Sequence, residues 1–255
     1  MTDPIRLAVL VSACGVLWSI EAIVPLIRYE PGRFRRAFPN LVLAAGVVLT
    51  NLAFASVTAA FSEFLVRRHF GLFSSLRLHP WILLLLGIAG LDLFAYFAHL
   101  LLHKIPLGWI FHRVHHSELE VDVTTAFRQH PGETLWRVLW QLFAIAVFGL
   151  PFWIVPFYLS ISSFNALLEH ANVRVNERLD GWLRLLIVTP NMHKIHHSRI
   201  VAETDSNYSN IFSMCDRLCG THTARTNYGH LRYGLDGFDD QRGVVKLMMG
   251  PFRTS

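Results

Sequence analysis

The chain has 255 residues, of which 53% are hydrophobic and only 16% charged, with a formal net charge of +5 and a mean hydropathy of +0.38. That balance is too apolar for an ordinary soluble domain and points to an integral membrane protein. The basic excess does not indicate nucleic-acid binding, because the arginines and lysines flank apolar runs and no nucleic-acid motif is present; anionic lipid head groups are the expected contacts of those cations.

In chain order, Leu7 to Ile27 is apolar apart from serines and a lone Glu21, Leu41 to Phe61 is apolar around Asn51, and Trp81 to Leu102 is interrupted only by Asp92 and His99. Each approaches the roughly twenty residues that cross a hydrocarbon core as a helix, so three spans are expected. Val11-Ser12-Ala13-Cys14 resembles a lipoprotein cleavage box, but the apolar run before Cys14 is short, and the segment is expected to be retained. Ser62 to Pro80 alternates apolar and basic residues and is expected in the interface. Leu139 to Leu168 is too long for one crossing and carries Pro151 and Pro156; proline breaks helices, which predicts a re-entrant hairpin of two short helices. The fold class expected is all-α, with three spans, this hairpin and a cytoplasmic histidine-rich cap.

Eight of the fourteen histidines fall in three clusters: His99 and His103 in HLLLH, His112, His115 and His116 in HRVHH, and His193, His196 and His197 in HKIHH. On a helix, residues three and four apart share a face, so each cluster can aim imidazoles at one point. Eight exceed the shell of a single ion, and the economical reading is a site for two metals. A scavenging tract would be contiguous and polar, unlike clusters set against apolar segments. The third span and the hairpin return every cluster to one side of the membrane. Arg28, Arg33, Arg35, Arg36, Lys104, Arg113, Arg128, Arg137, Arg174, Arg178, Arg184 and Lys194 share that side, and the positive excess marks it as cytoplasmic. Asp92, Tyr96, His99 and His103 follow at intervals that put them on one helix face. An aspartate inside a span is costly, and Asp92 is expected to accept a hydrogen bond from a ligand imidazole. Cys14, Cys215 and Cys219 form no disulfide framework.

These motifs resemble the eight-histidine signature of the membrane fatty acid hydroxylase and sterol desaturase superfamily. Thr125-Ala126-Phe127-Arg128-Gln129-His130-Pro131, Glu169-His170-Ala171-Asn172-Val173, Thr189-Pro190-Asn191-Met192-His193 and Asp205-Ser206-Asn207-Tyr208 extend the likeness over residues 85 to 225. The resemblance implies a centre of two Fe ions on the eight clustered histidines, with His170 as a ninth ligand. It also implies supporting roles for Asp92, Tyr96, Asn172, Asp205 and Asn207, and for Arg128 and His130 as ligands or ligand supports. Nitrogen ligands suit Zn, Cu or Ni as well, so iron comes from the resemblance alone, and zinc can replace it in purified protein. The implied activity is O2-dependent hydroxylation or desaturation of a lipid or sterol-like C–H bond. A zinc-dependent membrane hydrolase recruiting Glu118, Glu133 or Glu169 is the alternative, although no H-E-x-x-H is present.

Where the family often has Trp-Asp-Arg-Leu-Phe-Gly-Thr, this chain reads Cys215-Asp216-Arg217-Leu218-Cys219-Gly220-Thr221, which weakens any assignment of substrate by analogy. His130-Pro131-Gly132-Glu133 resembles the haem-binding tetrapeptide of cytochrome b5, but no room exists for that domain, so electrons are expected from a separate protein. The organisation expected is N-terminal transmembrane helices and an interfacial loop over 1–80, a hydroxylase-like catalytic domain over 81–225 and a cytoplasmic tail over 226–255. An apolar substrate tunnel is expected between the third span and the hairpin, lined by some of Phe143, Phe148, Phe152, Trp153, Phe157 and Phe164. The membrane expected is a bacterial inner membrane or the endoplasmic reticulum, and the oligomeric state is left open.

Overall fold

The computed structural model describes residues 3–225, 228–238 and 243–252; the remainder of the expected tail, at 226–227, 239–242 and 253–255, lies outside the described residues. The chain opens with three long helices, α1 (Asp3–Ile23), α2 (Arg33–Arg67) and α3 (Pro80–Lys104). All three are long and apolar enough to cross a membrane. A short α4 (Pro106–His116) and a 3-10 helix (Val123–Phe127) lead to α5 (Pro131–Phe148) and α6 (Ile154–His170). The rest is built of short helices: α7 (Glu177–Leu183), α8 (Pro190–His196), α9 (Val201–Thr204), α10 (Met214–Leu218) and α11 (Val244–Met249). Among the described residues there is no β-strand, only two isolated bridges.

The helix starts follow from local chemistry. α3, α5 and α8 each have proline at the first position, where no backbone N–H is needed, and the preceding residue caps the helix. His79 accepts from Trp81 N, His130 from Gly132 N and Thr189 from Met192 N. α5 ends at Gly149, whose φ of +68° is left-handed, and a Cβ there would lie 2.3 Å from the Phe70 carbonyl oxygen; only glycine fits.

Contacts along the bundle fix the direction of each long helix. At one end Glu21 of α1 pairs with Arg33 of α2 at 2.8 Å, and Asn40 of α2 reaches Glu118 and Thr124 behind α4. At the other end Ser62 of α2 donates to the Leu150 carbonyl, while Leu72 N and Phe73 N donate to the carbonyls of Val147 and Phe148. The turn between α5 and α6 therefore packs on the α2–α3 connection, at the end opposite α4. An 18-residue α5 is about 27 Å long, longer than the short helix expected before the prolines.

The core of the bundle lies where α3, α5 and α6 meet, around Leu84, Ile88, Leu91, Ile145, Ile154 and Tyr158. Phe148 and Phe152 pack against this core. Phe143, Trp153, Phe157 and Phe164, expected to line a tunnel, are instead exposed, and Phe143 keeps only an edge contact with Phe94 of α3.

Candidate metal centre

Nine imidazoles converge at one end of the bundle. His99 and His103, one turn apart on α3, project from its last turns. A sharp reversal at Ile105 and Pro106 then lays α4 back across that end; the approach is so close that a Cβ on Gly108 would sit 2.8 Å from Leu102 Cα. α4 contributes His112, His115 and His116, α6 ends on His170, and α8 contributes His193 and His196, with His197 at its C-cap. All except His103 are buried.

The rings sort into two groups, His99, His103, His112, His116 and His196 in one and His115, His170, His193 and His197 in the other. Within each group every residue offers one potential ligand atom lying within 4.8 Å of the others. Each H-x-x-H-H motif is thus divided: the i and i+4 rings share one group, and the i+3 ring, rotated about 60° around the helix, joins the other.

The carbonyl partners of the outer ring nitrogens fix the tautomers. A carbonyl only accepts, so Nδ1 is the donor in His99 to Tyr208 (2.9 Å), His196 to Ser206 (2.7 Å), His115 to Arg128 (3.3 Å) and His170 to Ala166 (2.7 Å). Their Nε2 atoms then carry bare lone pairs pointing into the groups. The Nε2 atoms of His115 and His170 face each other at 3.1 Å, and His170, His193 and His197 approach pairwise at 3.0 to 3.2 Å. In the other group, Nε2 of His103, His116 and His196 are buried without any hydrogen-bond partner. Facing lone pairs repel, and buried ring nitrogens without partners are costly. A cation removes both penalties: with a metal–nitrogen distance of about 2.1 Å, neighbouring ligand nitrogens stand roughly 3.0–3.4 Å apart. Burial, reinforced by the neighbouring rings, holds His112, His115, His116, His193, His196 and His197 well below the ordinary imidazole pKa, which keeps them in the neutral, ligating form.

Several of the residues expected to have supporting roles lie against the clustered imidazoles, through backbone as much as side chain. Asn207 adopts a left-handed φ of +54°, a conformation asparagine tolerates, and turns the carbonyls on either side of it, Ser206 and Tyr208, toward His196 and His99. Its own amide is tied to Met192 and Thr223. Asp205 Oδ1 lies 3.4 Å from His103 Nδ1, and Oδ2 accepts from Lys104 at 2.7 Å. Arg128 presents its carbonyl to His115 while its guanidinium binds the Val114 carbonyl, Asn40 and Ser117.

Other expectations are corrected. Asp92 does not reach an imidazole. Its carboxylate accepts from Ile211 N, Phe212 N and Asn210 Nδ2 at 3.1, 2.9 and 3.0 Å, because seven residues of helix set it about 10 Å below His99. Tyr96 bonds to Thr221 and packs against Tyr208, one step removed from the rings. His130 stands outside both ring groups: its Nδ1 accepts from Gly132 N at the start of α5 and its Nε2 faces the Met248 carbonyl at 3.2 Å, so both ring nitrogens are engaged. Asn172 clamps Ile27 through both its amide atoms and touches no imidazole ring.

Two carboxylates at the rings carry more than their sequence context indicated. Glu133, fully buried, places Oε2 3.0 Å from His112 Nδ1 while Arg137 holds Oε1. Glu169 Oε1 lies 3.8 Å from His193 Nε2. The available signal was an acidic side chain inside an otherwise apolar helix, which is costly unless it has a partner.

A bundle of apolar helices with two adjoining imidazole nests at one end defines an integral membrane protein with metal-ligating geometry. The fatty acid hydroxylase family model matches residues 84–221, and the chain belongs to that family. It is similar to the ornithine lipid hydroxylase of Rhizobium tropici, 31% identical over 167 residues, covering 66% of this chain and 49% of that one. It is also similar to the alkylglycerol monooxygenases of Homo sapiens (27% over 207 residues, 80% of this chain and 44% of that one) and Xenopus tropicalis (28% over 181 residues, 70% and 39%). The chain thus spans about half the length, or less, of these curated relatives. No solved structure matches it.

Proposed function

We propose that this protein is a membrane-bound di-iron oxygenase that uses O2 and electrons from a separate donor protein to hydroxylate a C–H bond of a lipid. The observation that carries this reading is the contact between His115 Nε2 and His170 Nε2, 3.1 Å apart with both Nδ1 hydrogens already committed to carbonyls. A cation between them relieves that contact. His99, His103, His112, His116 and His196 would hold one ion, and His115, His170, His193 and His197 the other.

Iron bound in those nests would supply O2 activation and the insertion of one oxygen atom into a C–H bond. The second oxygen atom leaves as water, which consumes two electrons and two protons per turnover. The chain supplies the rest. The carbonyls of Arg128, Ala166, Ser206 and Tyr208 orient the rings, and burial of the nests excludes bulk water. The helix end on which the nests sit lets a lipid approach along the apolar bundle. The names of the relatives, an ornithine lipid hydroxylase and alkylglycerol monooxygenases, support a membrane lipid as the substrate class. The cluster of Arg28, before α2, and Arg33, Arg35 and Arg36 in its first turn supports a cytoplasmic histidine end. The contact of the hairpin turn with the 68–79 connection supports a hairpin that reaches the far leaflet.

The test compares lipid extracts of cells with and without the protein by mass spectrometry, alongside iron analysis of the purified chain. The expected result is a lipid gaining one oxygen only when O2 and a reductant are supplied, and about two iron ions per chain. Turnover that is indifferent to O2 would sink the reading in favour of a hydrolase.

A further inference from the structure

Residues 177–219 contain a surface whose polarity is reversed. Leu179, Trp182, Leu186 and Leu218 are 54%, 74%, 72% and 77% exposed, whereas Asp180 and Asp216 on the same segments are 1% and 0% exposed. Arg217 is turned inward onto the carbonyls of Arg184 and Ser213. In water the charged groups would take the outer positions, and a contiguous apolar surface of this kind marks an interaction site.

The depth of the segment identifies the partner. Ile211 N and Phe212 N are bonded to the carboxylate of Asp92, in the middle of α3 and about 18 Å before its end at Lys104. Asn210 Nδ2 also donates to Ser162 Oγ, eight residues, or about 12 Å, before His170 on α6. Residues 210–213, and the 184–188 stretch paired with them, therefore do not sit above the bundle; they run down along it. Their backbone is equipped for that descent: Val188 N donates to the Ile211 carbonyl, Ser213 N to the Leu186 carbonyl, and Ser213 Oγ to the Arg184 carbonyl. Irregular chain is tolerated at membrane depth only with such internal pairing. Just before this lobe, Arg174 and Arg178 are exposed, at the level where anionic head groups would meet them.

We propose that the lobe formed by residues 179–187 and 211–218 is immersed in the leaflet on the histidine side, with Trp182, Leu186 and Leu218 in contact with lipid acyl chains. The inference rests on the reading of the chain as membrane-spanning, and its test separates the two. The full chain is reconstituted in phosphatidylcholine vesicles with or without bromine at carbons 6 and 7 of the acyl chain, and the emission of Trp182 is taken as the difference between wild type and Trp182→Phe. Trp81, 69% exposed at the start of α3, is isolated in the same way by Trp81→Phe as the reporter of the bundle. The brominated lipid is expected to lower both emissions roughly twofold, with a Leu186→Trp reporter in the Trp182→Phe background quenched alike. Quenching of Trp81 without Trp182 or the Leu186→Trp reporter overturns the proposal: it would mean that the lobe faces water, if aqueous acrylamide quenches it, or a protein surface such as a second copy, if nothing does. Loss of quenching at all three positions overturns the membrane reading as well.

Discussion

The two imidazole groups are built from the same motifs in opposite proportion. α4 gives its i, i+4 pair (His112, His116) to the first group and a single ring (His115) to the second; α8 gives a single ring (His196) to the first and its pair (His193, His197) to the second. What breaks the reciprocity is the remaining donor. α3 adds two rings to the first group, whereas α6 adds only His170 to the second, leaving five imidazoles against four. An ion held by fewer protein ligands would keep positions for exchangeable ones, so the second group would be the more open of the two as a metal site, and Glu169 stands beside it. The first group is the better braced: Glu133 and Asp205 stand at His112 and His103, and the carbonyls flanking Asn207 hold His196 and His99.

The largest effect, and the one that can break this comparison, is loss of a ring from either group. His116→Ala and His197→Ala should each reduce hydroxylation to background while the chain remains in the membrane. Metal analysis should fall from about two ions per chain to about one, because a nest short of a ligand no longer competes for its ion. Unchanged metal content in either variant would remove the assignment of separate nests. A smaller effect is expected at Glu133, whose removal as a charged partner of His112 should cost about 10- to 100-fold in activity or metal affinity for Glu133→Gln. Asp205→Asn should cost less than about tenfold, because its side chain is 35% exposed and 3.4 Å from His103 Nδ1. Equal losses at the two carboxylates, measured as iron retained against a chelator, would mean that burial does not rank the braces of the first group.

Much of this centre was legible in the sequence because ligand spacing is a local property. HLLLH, HRVHH and HKIHH declare helical faces on their own, and the runs around them declare spans. The failures are all matters of distance along or between helices. Asp92 does share a face with His99 and His103, but the helical rise separates them by about 10 Å, so it anchors the 210–212 loop instead. Pro151 falls in the break between α5 and α6 and Pro156 in the first turn of α6, but neither tells how far the two helices extend. α5 begins at Pro131, and its Glu133 and Arg137 look like the end of an apolar segment until their mutual pairing and His112 are visible. The division of each H-x-x-H-H motif between two nests was likewise hidden, since it requires knowing that a second helix brings the complementary set.

The smallest effect on activity sharpens the comparison from behind the rings. Each nest has a buried aspartate under its backbone anchors: Asp216 accepts from Tyr208 N and Ser209 N behind the first, and Asp122 caps the 3-10 helix that leads to Arg128, the carbonyl partner of His115 in the second. Burial, with the nearby Glu21 carboxylate adding to it, pushes the Asp122 carboxyl up to about 6. A raised carboxyl pKa means that the folded chain binds the proton more tightly than the unfolded one, whose value is about 3.9. The associated stability is fully present below about pH 4 and is lost as pH rises through 6, amounting to no more than about 3 kcal/mol. Asp122→Asn keeps a capping oxygen and cannot ionise. Its thermal midpoint should therefore rise relative to wild type as pH goes from 5 to 7.5, with hydroxylation changed little. A constant difference between the two chains across that range would show that Asp122 is already charged in the fold, and that the anchor of the second nest rests on an ionised brace.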